Sequence, residues 1–174
     1  MEVDGMTRIY LDAMGGDNAP QCTVEGALEA LRADKELQIT LAGPREQIEA
    51  LLTDAEDVRS RLTVEDAPEI ITNHDAPVMA VRQKKNSAVV QGMLAVREGR
   101  ADGFVSAGST GATLAGGMFR LGRIDGVERP ALAPLLPNGK GYFCLIDCGA
   151  NVDCLPQYLP QFGVMGAAYM RCVQ

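Results

Sequence analysis

The sequence contains no tryptophan, and aromatic residues make up only 5% of its 174 residues. Its core must therefore be built from Ala, Val, Leu, Ile and Met, and such small side chains suit helices packed closely against a sheet. No apolar run approaches the roughly 18 residues that a membrane-spanning helix requires. With 47% hydrophobic and 22% charged residues, the composition is that of an ordinary globular protein, and the length fits one domain.

An excess of basic charge is also lacking, because the formal net charge is −7. This charge argues against nucleic-acid binding, since phosphate contacts need clustered Lys and Arg. It argues equally against a purely electrostatic hold on anionic lipid. An acidic partner can still dock on a local basic patch, because net charge says nothing about how charge is distributed.

The five cysteines form no C-x-x-C pair, their number is odd, and nothing resembles a signal peptide. We therefore expect free thiols in a reducing cytoplasm. A zinc site at Cys148 and Cys154 is a weaker alternative, because the usual metal-ligand spacing is absent. Residues 1–6 are interpreted as a tag or an alternative start, which leaves a single α/β domain over residues 7–174.

Strand-like and helix-like segments alternate along most of the chain. This alternation predicts a three-layer α/β/α sandwich with a mainly parallel sheet. Asn18 is a predicted helix cap, and Ser87 is a predicted cap between two helical pieces. The predicted strands cover residues 8–12, 37–42, 62–65, 103–106, 131–136 and 142–146. Predicted helices begin near residues 20, 44, 77, 87 and 110, and a last one covers residues 158–173.

Three loops share one design, in which a strand leads through a Gly-rich turn into a helix. In a parallel sheet such loops lie at the carboxyl ends of strands, where open α/β folds bind ligands. Their glycines allow close approach of the backbone, and free N–H groups at a helix start favour an anion such as phosphate. Turn chemistry alone would explain any one loop, but three together indicate a site. The candidate binding residues are Asp12, Gly15, Gly16, Asp17, Ser106, Gly108, Thr110, Gly111, Asp147, Gly149 and Ala150.

None of these loops matches a dinucleotide or P-loop motif. The stretch AGSTG at 107–111 is one residue from the G-x-S-x-G nucleophile elbow, but a serine hydrolase of this fold needs a histidine downstream. The only histidine, His74, lies upstream. Ser109 is therefore interpreted as a hydrogen-bond donor rather than a nucleophile, and His74 as a loop residue.

A basic cluster of Arg82, Lys84 and Lys85 lies on an otherwise apolar helix. One interpretation is a solvated helix face. The other interpretation is a binding site whose basic side chains hold phosphate or an acidic partner.

Six short stretches carry a family resemblance: DAMGGD at 12–17, RQKKNS at 82–87, SAGSTGA at 106–112, GRI at 122–124, RPALA at 129–133 and DCGANVDC at 147–154. From residue 7 to its last residue the chain resembles the bacterial phosphate acyltransferase (PlsX) family, whose members are longer. It departs from the family pattern at Asn18 (usually His), Asn86 (usually Asp), Ser109 (usually Asn) and Leu155 (usually Lys). The resemblance implies a sheet like that of isocitrate and isopropylmalate dehydrogenases or of phosphotransacetylase.

The resemblance also implies a reaction, the transfer of a fatty acyl group from acyl carrier protein to inorganic phosphate. Phosphate is already an anionic nucleophile and a thiolate leaves readily, so no metal, organic cofactor or strong base is needed. The best catalytic candidates are Lys84, Ser109 and Asn151, with Lys85 as a further phosphate ligand. Carrier-protein docking is expected at Arg82, Arg120 and Arg123. A homodimer and a peripheral contact with the membrane are also expected.

Two other functions stay open. One is a non-catalytic fragment that binds phosphate or carrier protein, and the other is a decarboxylating dehydrogenase, for which the sequence offers no motif.

The final helix carries an apolar stripe that continues to the last residues of the sequence. It predicts self-association through this helix, as a symmetric dimer with little activity of its own. The stripe comprises Tyr158, Phe162, Met165, Tyr169 and Cys172.

Overall fold

The computed structural model describes residues 5–173, so most of the segment interpreted as a tag lies outside the described residues. Where the sequence predicts one domain, the chain divides after Gly122 into two compact units, which are described separately below.

The first unit is built on a parallel four-stranded sheet, as predicted. Its strands are β1 (Thr7–Asp12), β2 (Leu37–Gly43), β3 (Leu62–Asp66) and β4 (Gly103–Val105), in the order β3-β2-β1-β4. The chain runs outward from β1 through β2 to β3 and then returns to the other side of β1 for β4. Strand order therefore reverses between β1 and β4, which creates the crevice where ligands bind in open α/β sheets.

Five helices connect or follow these strands. They are α1 (Gln21–Ala33), α2 (Arg45–Glu49), α3 (Pro77–Gln83), α4 (Ala88–Arg97) and α5 (Thr110–Gly116), which continues as a π-helical turn (Gly117–Leu121). The predicted cap of α4 is confirmed, because the Val90 N–H donates to Ser87 Oγ at 3.4 Å. The predicted cap at Asn18 is wrong, since α1 begins after Pro20 with no side-chain cap. The ring of Pro20 already sets a backbone angle suited to a helix start.

Side chains of β1 alternate between the two faces of the sheet. Ile9 and Leu11 pack into a core with α1 and α2, whereas Tyr10 packs on the opposite face with Ala88 and Ala95 of α4. Burying each large apolar side chain contributes about 1.5–3 kcal/mol. Helices therefore cover both faces, which confirms the α/β/α layers.

The second unit contains β5 (Leu135–Pro137), β6 (Tyr142–Cys144) and α6 (Tyr158–Val173). The two strands pair antiparallel in a sheet of their own, whereas the sequence predicts strands at 131–136 and 142–146 in a mainly parallel sheet. Residues 138–141 join them, and a parallel pair needs a connection of about a dozen residues or more. The Asn138-Gly139 turn, with φ +81° at Gly139, is a hairpin signal.

Helix α6 has the predicted extent, but its apolar stripe is not uniformly exposed. Phe162 is 2% exposed, whereas Tyr169 is 43% exposed. Phe162 therefore packs inside the second unit, and it is Tyr169 that presents apolar surface on this helix. Between residues 5 and 173, no helix combines the length and the apolar character needed to cross a bilayer.

Candidate functional site

Two of the predicted loops meet where strand order reverses. Ser106 directly follows β4, and its hydroxyl donates a hydrogen bond of 2.8 Å to Oδ2 of Asp12, the last residue of β1. The Gly108 N–H donates to Ser106 Oγ at 3.0 Å, and the Met14 N–H donates to Asp12 Oδ1 at 3.1 Å. A chain of hydrogen bonds thus ties the β1 loop (residues 12–17) to the β4 loop (residues 106–109).

Asp12 is a buried acid, with 6% of its surface exposed. Burial raises the pKa of its carboxyl group, and the hydrogen bonds from Ser106, Met14 and Gly15 oppose that rise without cancelling it. Both carboxylate oxygens accept hydrogen bonds from the loops. The arrangement indicates that Asp12 fixes the two loops together and is not a free general base.

Gly15 lies at the closest approach of the two loops. A Cβ atom there would lie 2.7 Å from Ser106 Oγ, 2.8 Å from Asp12 Oδ2 and 2.9 Å from the Gly108 nitrogen. Such contacts are shorter than van der Waals packing allows. The position therefore requires glycine, which gives the DAMGGD stretch a physical reason.

Ser109 caps the helix that follows the β4 loop, because its Oγ accepts a hydrogen bond of 3.3 Å from the Ala112 N–H. The hydroxyl keeps its own proton to donate, so the donor role that the sequence indicates stays a prediction. The N–H groups of Thr110 and Gly111 belong to the first turn of α5, which has no intrahelical acceptors. Free N–H groups at the start of a helix favour the binding of an anion.

A cleft of about 240 Å³ opens beside these loops. The third wall of the cleft is the cleft loop (residues 70–76), which includes His74 and for which the sequence predicts no function. The signal for this wall was its place after β3, at the same carboxyl edge of the sheet. The lining residues are Met14, Gly16, Asp17, Ile70, Ile71, Thr72, Asn73, His74, Gly108 and Ser109.

Lys84 is bound to the cleft loop. Its Nζ donates to Asp75 Oδ1 at 2.9 Å, to Asp75 Oδ2 at 2.8 Å and to the Ile70 carbonyl at 2.7 Å. The Lys84 hydrogen bond is the main reason why the pKa of Asp75 falls to about 2. Lys84 thus contacts protein groups next to the cleft and does not line it.

The other predicted basic residues differ in their surroundings. Arg82 is exposed, and its guanidinium carbon lies 5.5 Å from the centre of the Phe119 ring. Lys85 is exposed as well. Arg120 is half-buried, and its guanidinium donates to the Val81 carbonyl at 2.8 Å.

The third predicted loop belongs to the second unit and is organised around Asp147. Asp147 Oδ1 accepts a hydrogen bond of 2.7 Å from the Leu132 N–H, and Oδ2 accepts from the N–H and the amide of Asn151 at 2.7 and 3.1 Å. Burial acts to raise the pKa of Asp147, but these hydrogen bonds outweigh it and the pKa lies below its usual value. Asn151 also donates to the Pro130 carbonyl at 3.0 Å, so its amide serves the loop itself. Arg123 is exposed in this unit.

Comparison with known proteins identifies the family. The model of the family described as "Fatty acid synthesis protein" matches residues 7–174. The chain belongs to this family. Proteins named phosphate acyltransferase are 51% identical in Bacillus licheniformis, covering 93% of this chain and 48% of the relative, and 49% identical in Salinibacter ruber, covering 96% and 50%. The family resemblance inferred from the sequence motifs is confirmed.

The chain spans about half the length of these curated relatives. A solved structure shares the fold of this family member: a phosphotransacetylase from Streptococcus pyogenes has a TM-score of 0.65 at 22% identity, covering 93% of this chain and 53% of that one. It supports the phosphotransacetylase-like sheet that the sequence motifs imply.

Proposed function

We propose that this protein transfers a fatty acyl group from acyl carrier protein to inorganic phosphate, which gives an acyl phosphate for phospholipid synthesis. The observation that carries the proposal is the cleft at the reversal of strand order, which Gly108 and Ser109, the cap of α5, line next to the start of that helix. The relatives named phosphate acyltransferase support the reaction type.

In the proposed reaction, phosphate binds against the backbone N–H groups that start α5. The Gly108 N–H is already bonded to Ser106, so the donors of Thr110 and Gly111 are the stronger candidates. A phosphate oxygen attacks the thioester carbonyl carbon, the C–S bond breaks, and the thiolate of the carrier leaves. Phosphate is anionic before it reacts, so the protein has to position it and stabilise the tetrahedral oxyanion.

The second candidate is a module that binds phosphate or carrier protein without turnover. It is favoured by one observation, namely that the carboxylate of Asp12, the ammonium group of Lys84 and the amide nitrogen of Asn151 are all hydrogen-bonded inside the protein. Under this hypothesis the cleft would recognise an anion but would perform no chemistry.

Phosphate-dependent loss of an acyl carrier protein thioester separates the two candidates. The proposal expects thioester loss only when phosphate is present, together with an acyl phosphate that hydroxylamine traps. Phosphate binding without thioester loss would instead support the binding module. If the protein showed neither phosphate binding nor thioester loss, both candidates would be refuted.

For the carrier protein, we propose docking on the exposed face that contains Arg82. Basic residues at the rim of an interface speed the association of an acidic partner and make the interaction weaker at high salt concentration. Arg82→Glu should therefore raise KM for the carrier thioester, with kcat and the KM for phosphate retained. An unchanged KM for the carrier would exclude this face. Self-association through α6 and a peripheral membrane contact stay predictions.

A further inference from the structure

We infer that Lys84 and Asp75 act together as a positioning pair, which holds the cleft loop in place as one wall of the cleft, and that Lys84 does not touch the reacting atoms. The inference deepens the proposed function, on which it rests for the identity of the anion.

The cleft loop is anchored near both of its ends. Close before its start, the Asn86 N–H donates to Glu69 Oε2 at 2.7 Å. Towards its end, Asp75 accepts hydrogen bonds from the Lys84 ammonium and, at 2.7 Å, from the Thr72 N–H. The Thr72 hydroxyl also donates to Asp75 Oδ2, at 3.0 Å. The residues between these anchors are the ones that line the cleft, so the anchors determine where this wall lies.

The ammonium group of Lys84 has little left to offer a substrate. Its three acceptor atoms lie within 2.9 Å, and an ammonium group has three protons to donate. The side chains of Lys84 and Asp75 are 30% and 25% exposed, so the pair is partly shielded from water. A lysine that is bound in this way acts through the loop that it holds.

The pair should therefore control how often the loop is correctly placed. If its loss leaves the loop in the binding position about a tenth of the time, the apparent affinity for phosphate falls about tenfold. Loop contacts that bind the ground state and the transition state equally affect KM and leave kcat unchanged. A lysine that stabilised the oxyanion would give the reverse pattern.

The test compares Lys84→Met, Asp75→Asn and the double variant, with Lys35→Met, a surface lysine beyond the end of α1, as the matched control. Each variant is measured for binding of inorganic phosphate, for kcat and KM in phosphate-dependent thioester loss, and for amide exchange across residues 70–76. We expect the KM and the dissociation constant for phosphate to rise about tenfold in both single variants, with kcat within about twofold. The double variant should be no worse than either single one, because both remove the same contact. Amide exchange across the cleft loop should accelerate, while Lys35→Met behaves like the unmodified protein.

Three results would overturn the inference: a fall in kcat at constant KM in Lys84→Met, additive effects in the double variant, or unchanged exchange across the cleft loop. If the unmodified protein showed no turnover at all, the proposed function would fail. Phosphate binding and amide exchange would then still decide whether the pair holds the loop.

Discussion

Replacing Gly15 with alanine adds one methyl group to the protein at the point where the β1 and β4 loops touch. That methyl carbon would lie 2.7 Å from Ser106 Oγ and 2.8 Å from Asp12 Oδ2, so the loops must separate. Overpacking of this kind costs about 1–3 kcal/mol, and weakening a hydrogen bond to a charged group costs about 1.5–3 kcal/mol. The two costs overlap, because separating the loops relieves the clash by breaking the bond.

The reduced freedom of the unfolded chain returns about 0.4–1 kcal/mol. We therefore expect a net loss of about 0.5–2.5 kcal/mol in the free energy of unfolding, which lowers the midpoint of a urea titration by up to about 1 M. Gly26→Ala is the matched control, since Gly26 lies exposed on α1 with nothing within 4 Å of the added Cβ. That helix substitution should stabilise the protein by about 0.5–1 kcal/mol. The reasoning fails if both variants shift the midpoint in the same direction by similar amounts.

Two further substitutions probe the same loops. Ser106→Ala removes the donor to Asp12 and should cost about 2 kcal/mol at neutral pH. Burial raises the pKa of Asp12 and the Ser106 bond lowers it, so the loss of that bond raises the pKa further. The cost should therefore grow as the pH rises through the raised pKa and be smallest below it. Urea titrations that show a pH-independent cost would contradict this. Gly108→Val should abolish phosphate binding, as measured by titration calorimetry, and should also reduce stability, because its Cβ would lie 3.2 Å from Ser106 Oγ. If a folded Gly108→Val variant bound phosphate with undiminished affinity, the anion would not bind at this loop.

The layers of the first unit could be predicted from the sequence because their signals are local. The apolar residues of α1 recur at helical spacing, at Val24, Ala27, Leu28 and Leu31, and β1 and β2 are short apolar runs typical of strands. Alternation of helices and strands implies a parallel sheet. The strand order is a different matter, because it depends on which strand the chain rejoins after β3. Nothing in the sequence of β4 states that it pairs with β1. The second unit's strands pair with each other because residues 138–141 are too few for a parallel connection, and the Asn138-Gly139 turn is the local signal for that hairpin.

The candidate site was predictable to the extent that backbone position determines it. Asp12 and Ser106 both end a strand of one parallel sheet, so their proximity followed from the fold, although their hydrogen bond did not. The cleft loop carries no Gly-rich turn and resembles an ordinary connection. The pairing of Lys84 with Asp75 depends on how that loop folds back, and for this reason the sequence suggested a catalytic lysine.

Four polar side chains of the first unit, those of Asp12, Ser106, Lys84 and Asp75, hold loops in place. For this reason the sequence suggests more catalytic groups than the structure contains. Asp12 and Ser106 fix two loops to each other, and Lys84 and Asp75 fix a third. Asn73 and His74 of the cleft loop also line the cleft, whereas the donors at the start of α5 belong to the backbone and cannot be removed by side-chain substitution. Variants of Asp12, Ser106, Lys84 and Asp75 should therefore act mainly by displacing loops. For a reaction whose nucleophile arrives charged, such displacement weakens the binding of phosphate more than it slows the chemical step.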